Sequence, residues 1–177
     1  WDKRQLVKKI NLNSLYGAIL NPGCRFFDKR IGQSTTLTGR TIVKHMSAEV
    51  NNVITGTYDH VGKSMIYGDT DSCYFSAWPI LKDDVNSGKL EWSKEKCITL
   101  MDQVCEQANT TFPDFMMKAF HCPKSRSDVI AAGREIIAQS GLFITKKRYA
   151  ALVTDIEGFR TDTDGKPGKV KAMGLDL

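Results

Sequence analysis

The sequence contains no CxxC pair and no HExxH, and its three histidines (His45, His60, His121) are scattered. Its five cysteines (Cys24, Cys73, Cys97, Cys105, Cys122) are an odd number without paired spacing. Those absences argue against a zinc site or a disulfide framework and for reduced, mostly buried thiols in a cytosolic protein. No apolar run approaches the ~20 residues that a bilayer-spanning helix needs, and no signal-peptide pattern is visible. Internal repeats and low-complexity stretches are also missing. What is there is ordinary globular composition, 41% hydrophobic and 25% charged, with a net charge of +5. The mild basic surplus suits a polyanionic partner without singling one out. Residue 1 is Trp rather than Met and a helical pattern begins at once, which suggests a segment of a longer chain.

Residues 2–20 carry Leu6, Val7, Ile10, Leu12, Leu15, Ala18 and Ile19 without a proline, dense enough for a largely buried helix that NPG at 21–23 stops. RFFDKRI at 25–31 reads as a strand or an extended link. Residues 36–54 place Ile42, Val43, Met46, Val50, Val53 and Ile54 at helical spacing, with Gly56 as the stop. SMIYG and SCYFSA flank an Asp-Thr-Asp as two short strands of a hairpin with the acids at its tip. Residues 80–92 read as a polar loop, and Ser93 with Glu95 opens a helix to about residue 111. Pro113 and Pro123 bracket a less regular segment. From residue 134, REIIAQ, LFITKKRY and AALVTDIE read as successive strands, and DTDGKPG at 162–168 as a turn before VKAMGL. Strands grouped with intervening helices predict an α+β fold.

Three groups of residues can carry chemistry. Lys9, Asn13 and Tyr16 fall within an arc of about 60° around a helix, at 100° per residue, with Asn13 to one side of Lys9 and Tyr16 to the other. This polar stripe is either a solvated face or a ligand face offering an ammonium for phosphate, an amide for hydrogen bonding and a ring for stacking. Asp69 and Asp71 are one residue apart. On a strand they would point to one side, roughly 6–7 Å apart, and repel unless a proton or a metal neutralises them. They are either turn carboxylates capping backbone amides or ligands for a hard cation such as Mg²⁺, which accepts one or two carboxylates plus substrate phosphates. Lys146, Lys147, Arg148 and Tyr149 lie in a strand-like run, with Lys147 and Tyr149 on one face and Lys146 and Arg148 on the other. Three adjacent cations there mark either a charge-protected edge or a contact with a nucleic-acid backbone.

The three occur in one order in one chain. KKINLNSLYG resembles motif B of the family B DNA polymerases, YGDTDS resembles their motif C, and REIIAQSGLFITKKRYA looks like their downstream KKRY region. The resemblance runs from about residue 3 to the closing GLDL, and its wording is most like the replicative enzymes of tailed bacteriophages. It implies residues 1–22 as the C-terminal helix of the fingers and residues 23–177 as an antiparallel palm sheet with helices packed on one face. By the same resemblance Lys9 meets the phosphates of the incoming nucleotide, and Asn13 and Tyr16 lie beside it. Asp71 is the more direct of two catalytic metal ligands and Asp69 the less direct one, while Thr70, Lys146, Lys147, Arg148 and Tyr149 contact DNA.

The resemblance further implies two Mg²⁺ ions, primer–template DNA and deoxynucleoside triphosphates as ligands, a sliding clamp as partner, no membrane, and a cytoplasmic location in a bacterial host. It is incomplete. The family's motif A aspartate, its exonuclease and its thumb have no counterpart here. The implication is a fragment of a DNA-directed DNA polymerase, inactive alone and dependent on an upstream portion that supplies motif A. The alternative is a non-catalytic palm-like module of a split polymerase that binds nucleic acid or assists assembly. Reverse transcriptases and RNA replicases usually place their palm aspartates adjacent, so the spaced DTD disfavours them.

Overall fold

A computed structural model describes residues 2–175. Trp1, and the last two residues of the GLDL segment, Asp176 and Leu177, lie outside them. The elements run α1 (Asp2–Leu20), α2 (Lys29–Thr55), β1 (Met65–Asp69), β2 (Ser72–Phe75), α3 (Trp78–Asn86), α4 (Lys94–Phe120), β3 (Ile136–Thr145), β4 (Arg148–Ile156), β5 (Phe159–Arg160) and β6 (Lys169–Met173). All strand pairings are antiparallel, so the fold is α+β as the grouping of elements predicts. The chain divides into two compact units, one up to Val43 and one from Lys44 onward.

In the first unit α1 ends at Asn21-Pro-Gly, where Asn21 N–H reaches Ala18 C=O at 3.3 Å and its side chain accepts from Gly23 N–H at 2.9 Å. Contrary to the expectation of a buried helix, Leu6, Val7, Ile10, Leu12 and Leu15 are all exposed. The apolar side chains are spread around the helix instead of forming one stripe, so no single packing face could cover them. Helix α2 begins at Lys29, seven residues before the predicted start. Asp28 is its N-cap, accepting Arg30 N–H at 2.9 Å. The Arg30 guanidinium and that same N–H hold the Asp28 carboxyl down to about 2. RFFDKRI is therefore a turn and link running into a helix, not a strand.

In the second unit Val50 of α2 packs with Val104 and Ala108 of α4, and Met65 and Phe75 bring the β1–β2 hairpin against this core. Asn51, 1% exposed, fastens the connection that leads into β1. Its amide donates to Thr57 C=O at 2.7 Å and Thr55 Oγ1 at 3.1 Å, and its carbonyl accepts Ser64 N–H and Oγ at 3.2 and 2.7 Å. A side chain at Gly62 would collide with this amide. His45 is buried, stacked on Phe115 at 3.9 Å, and bonded to Tyr58 Oη and Thr111 Oγ1 at 2.9 and 3.0 Å. Burial lowers its pKa.

Two further expectations are corrected. Residues 78–86, overlapping the first part of the predicted 80–92 loop, form α3, which Pro79 opens from a position where its missing N–H costs nothing. Helix α4, capped by Ser93 Oγ on Lys96 N–H at 3.2 Å, runs through Pro113 to Phe120. The burial of Phe112 and Met116 holds its second half in register. Thr110 and Thr111 turn their hydroxyls onto the Gln107 and Ala108 carbonyls, both at 2.7 Å.

The larger sheet is centred on β4. Strand β3 lies along one edge, and β6 followed by β5 along the other. REIIAQ and LFIT merge into the single strand β3. Asp164 and Gly165, both at positive φ, make the predicted turn, closed by Lys166 N–H on Thr163 C=O at 3.1 Å. The buried Asp155 carboxylate takes Arg134 and Gly158 N–H, and Arg134 also meets Asp102 of α4, tying sheet to helix.

Candidate polymerase site

The β1–β2 hairpin is two residues deep at its tip. Asp69 pairs with Ser72, leaving Thr70 and Asp71 as the turn. Asp69 is thus the last strand residue and Asp71 lies off the strand, so the period-2 rule does not extend across both. The two carboxylates differ in surroundings. Asp69 is half-buried and accepts Thr70 Oγ1 at 3.0 Å and Tyr67 Oη at 3.4 Å. Asp71 is exposed, and among the described residues no hydrogen bond or ion pair engages its carboxylate. Thr70 holds φ at 30°, a left-handed value costly for a β-branched residue. Its hydroxyl is turned onto Asp69.

The KKRY residues are not inside one strand. Lys146 and Lys147 form the β3–β4 turn, with Lys147 at φ 62°, and Arg148 and Tyr149 open β4. The expected alternation of faces across the four residues therefore does not hold. Lys146, Lys147 and Arg148 are exposed, whereas Tyr149 is only 3% exposed. Its ring lies 5.4 Å from Phe143, 5.5 Å from Tyr74 and 6.0 Å from Tyr67. Its hydroxyl meets Tyr74 Oη at 3.0 Å. Burial and this bond raise the Tyr74 pKa. Beneath the hairpin, burial pushes the Cys73 thiol up to about 11, leaving it an inert thiol at neutral pH.

The structure thus brings Asp69, Thr70 and Asp71 together with the KKRY turn: Lys147 N–H donates to Tyr67 Oη at 3.0 Å, and Tyr67 donates onward to Asp69. Tyr67 was legible as a strand neighbour of Asp69, since residues two apart share a face, but its bond to a turn eighty positions away was not. Lys9, Asn13 and Tyr16 belong to the other unit. Lys9 and Asn13 are exposed on α1, and half-buried Tyr16 reaches Gly32 C=O at 3.5 Å.

Residues 1–82 match the family model for DNA polymerase family B. The DNA-directed DNA polymerase of Escherichia phage RB69 is 29% identical over 97% of this chain. These two matches support a family B DNA polymerase. That of Enterobacteria phage T4 is 27% identical over 99% of the chain, and the DNA polymerase alpha catalytic subunit of Arabidopsis thaliana 28% over 99%. The matches span 20%, 20% and 9% of those relatives, so the chain covers a fifth or less of their length.

The hairpin tip presents one exposed carboxylate, Asp71, and one half-buried carboxylate, Asp69, and carboxylate oxygen is the donor type that a hard cation accepts. Among the described residues no group of three or more His, Cys, Asp or Glu side chains gathers where a metal could be held. No described helix is long and apolar enough to cross a membrane.

Proposed function

We propose that this chain forms part of a template-directed DNA polymerase, with α1 as the returning helix of the fingers (1–22) and residues 23–177 as palm. The observation that carries the reading is the pair Asp69 and Asp71 on a hairpin tip bonded through Tyr67 to the KKRY turn, in a sequence matched by the family B model. Asp71, exposed and with its carboxylate unengaged among the described residues, is the more direct ligand for Mg²⁺, and Asp69, already accepting two hydroxyls, the less direct one. When bound, a pair of such ions stabilises the attacking and leaving oxygens of phosphoryl transfer.

This chain's residues then orient the reactants. Lys9 neutralises the phosphates of the incoming deoxynucleotide, with Asn13 and Tyr16 beside it. Lys146, Lys147 and Arg148 hold the primer–template backbone, and Thr70 lies at the tip near the DNA. Tyr149, being buried, acts on DNA by supporting that turn. A carboxylate outside these residues, in a motif A portion, completes the metal site, and a sliding clamp retains the whole on DNA in the cytoplasm of a host cell.

The deciding experiment is Asp71→Asn in a complete polymerase carrying these residues. Nucleotidyl transfer falls by orders of magnitude while primer–template affinity is retained, because metal charge is lost and phosphate contacts are not. Asp69→Asn has the smaller effect. Normal Mg²⁺-dependent turnover of Asp71→Asn sinks the assignment. One observation favours a second reading for the chain by itself: two acidic side chains at the hairpin tip, with no third gathered beside them among the described residues, suit a DNA-holding module better than a complete catalyst.

A further inference from the structure

Tyr67 stands between the two halves of this site. Its ring is boxed by Tyr74, Phe143 and Tyr149, with centroids 5.8, 5.9 and 6.0 Å away. Its hydroxyl has two partners whose roles are fixed by chemistry. A backbone N–H only donates and a carboxylate only accepts, so the lone pair takes Lys147 N–H and the single phenolic proton goes to Asp69 Oδ2. On the turn's other side Gly174, at φ 63°, lies so close to Lys147 C=O that a Cβ there would collide with it. The turn is therefore bonded to the hairpin and packed closely against the residue that follows β6.

We propose that Tyr67 is a positioning residue, its hydroxyl fixing the distance between the acidic hairpin tip and the Lys146–Lys147 turn. The inference rests on the polymerase reading for its consequence, though not for its geometry. The turn that carries DNA-facing cations and the strand end that carries a metal-facing carboxylate share one hydroxyl. A duplex seated on the turn is thereby indexed to the carboxylate, and loss of the hydroxyl uncouples the two without opening the aromatic cluster. A second hydroxyl pair, Tyr74 with Tyr149, also joins the hairpin to β4 but touches no carboxylate. It keeps the hairpin docked when Tyr67 is changed, and it supplies the control.

Tyr67→Phe and Tyr74→Phe are compared by amide hydrogen exchange at Lys147 and by Mg²⁺ titration of primer extension, both in a complete polymerase containing these residues. Tyr67→Phe speeds Lys147 exchange roughly three- to tenfold, the effect of one ordinary hydrogen bond, and Tyr74→Phe leaves it unchanged. Tyr67→Phe also raises the Mg²⁺ needed for half-maximal extension and lowers kcat more than it changes the nucleotide KM; Tyr74→Phe does neither. Unchanged Lys147 exchange in Tyr67→Phe, or equal acceleration in both variants, overturns the link. Faster exchange with an unchanged Mg²⁺ requirement overturns the positioning role. Should Tyr67→Phe fail to fold, 3-fluorotyrosine at position 67 keeps the shape and must move the Lys147 amide proton resonance; an unmoved resonance overturns the link. If Asp71→Asn extends primers normally, the polymerase reading fails instead, and the exchange data still decide the link.

Discussion

At Asp69 and Asp71 two identical side chains, two positions apart, meet different surroundings because one ends a strand and the other sits in its turn. The same division sorts the basic residues. Lys147 is exposed on a tight turn and touches the hairpin through its backbone alone, leaving its ammonium for solvent or phosphate. Lys147→Ala is expected to weaken primer–template binding with little sequence dependence and to reduce the salt slope by about one counterion, measured by fluorescence anisotropy across a salt series. An unaltered slope makes the cation a protector of the sheet edge. Lys9 is likewise exposed on α1. Lys9→Ala is expected to raise the nucleotide KM several-fold, by roughly the loss of one charge-assisted bond. Steady-state kinetics with unchanged nucleotide dependence returns it to a solvated face.

Among the elements, those with a local chemical marker were legible and those without were not. Asn21-Pro-Gly, Gly56, Ser93 and Asp164-Gly165 each punctuate the chain where their chemistry predicts. The β3–β4 turn carries no glycine, proline or asparagine, and Lys147 takes a left-handed φ in a run whose apolar pattern reads on unbroken. Helix α4 crosses Pro113 because burial of Phe112 and Met116 outweighs one lost backbone bond, a tertiary effect invisible in local propensity. The approach to β1 depends on Asn51 in the same non-local way, through partners four to thirteen residues distant. Asn51→Ala leaves Ser64 N–H and Thr57 C=O without their partners in the interior. The expected loss is about 3 kcal/mol, measurable by chemical denaturation. A change below about 0.5 kcal/mol would mean that water replaces the amide at no cost.

On the scale of the whole molecule, α1 exposes Leu6, Val7, Ile10, Leu12 and Leu15, and the hairpin offers two carboxylates with, among the described residues, no third acidic side chain gathered beside them. Under the polymerase reading these are two sides of one incompleteness, apolar surface without a partner and a metal site without its full donor set. The chain alone is therefore expected to self-associate and to give no primer extension. Supplying the motif A portion in trans is expected to improve its solubility. Sedimentation and a primer-extension gel, with Asp71→Asn as the contamination control, check both. Robust extension by the lone chain, abolished in that control, places the third carboxylate within these residues.

The four letters KKRY straddle a structural border: two residues in an exposed turn, an exposed arginine and a buried ring. A genetic screen across this motif would therefore return two classes of allele from adjacent codons. Changes at Lys146 or Lys147 give conditional growth set by the ionic environment. Changes that remove the Tyr149 ring give growth set by temperature, since they unpack Tyr67, Tyr74 and Phe143 together. A suppressor of the second class would be sought among those three aromatics on β1, β2 and β3, all adjacent to Tyr149 in the fold, although Tyr67 and Tyr74 lie far from its codon in the gene.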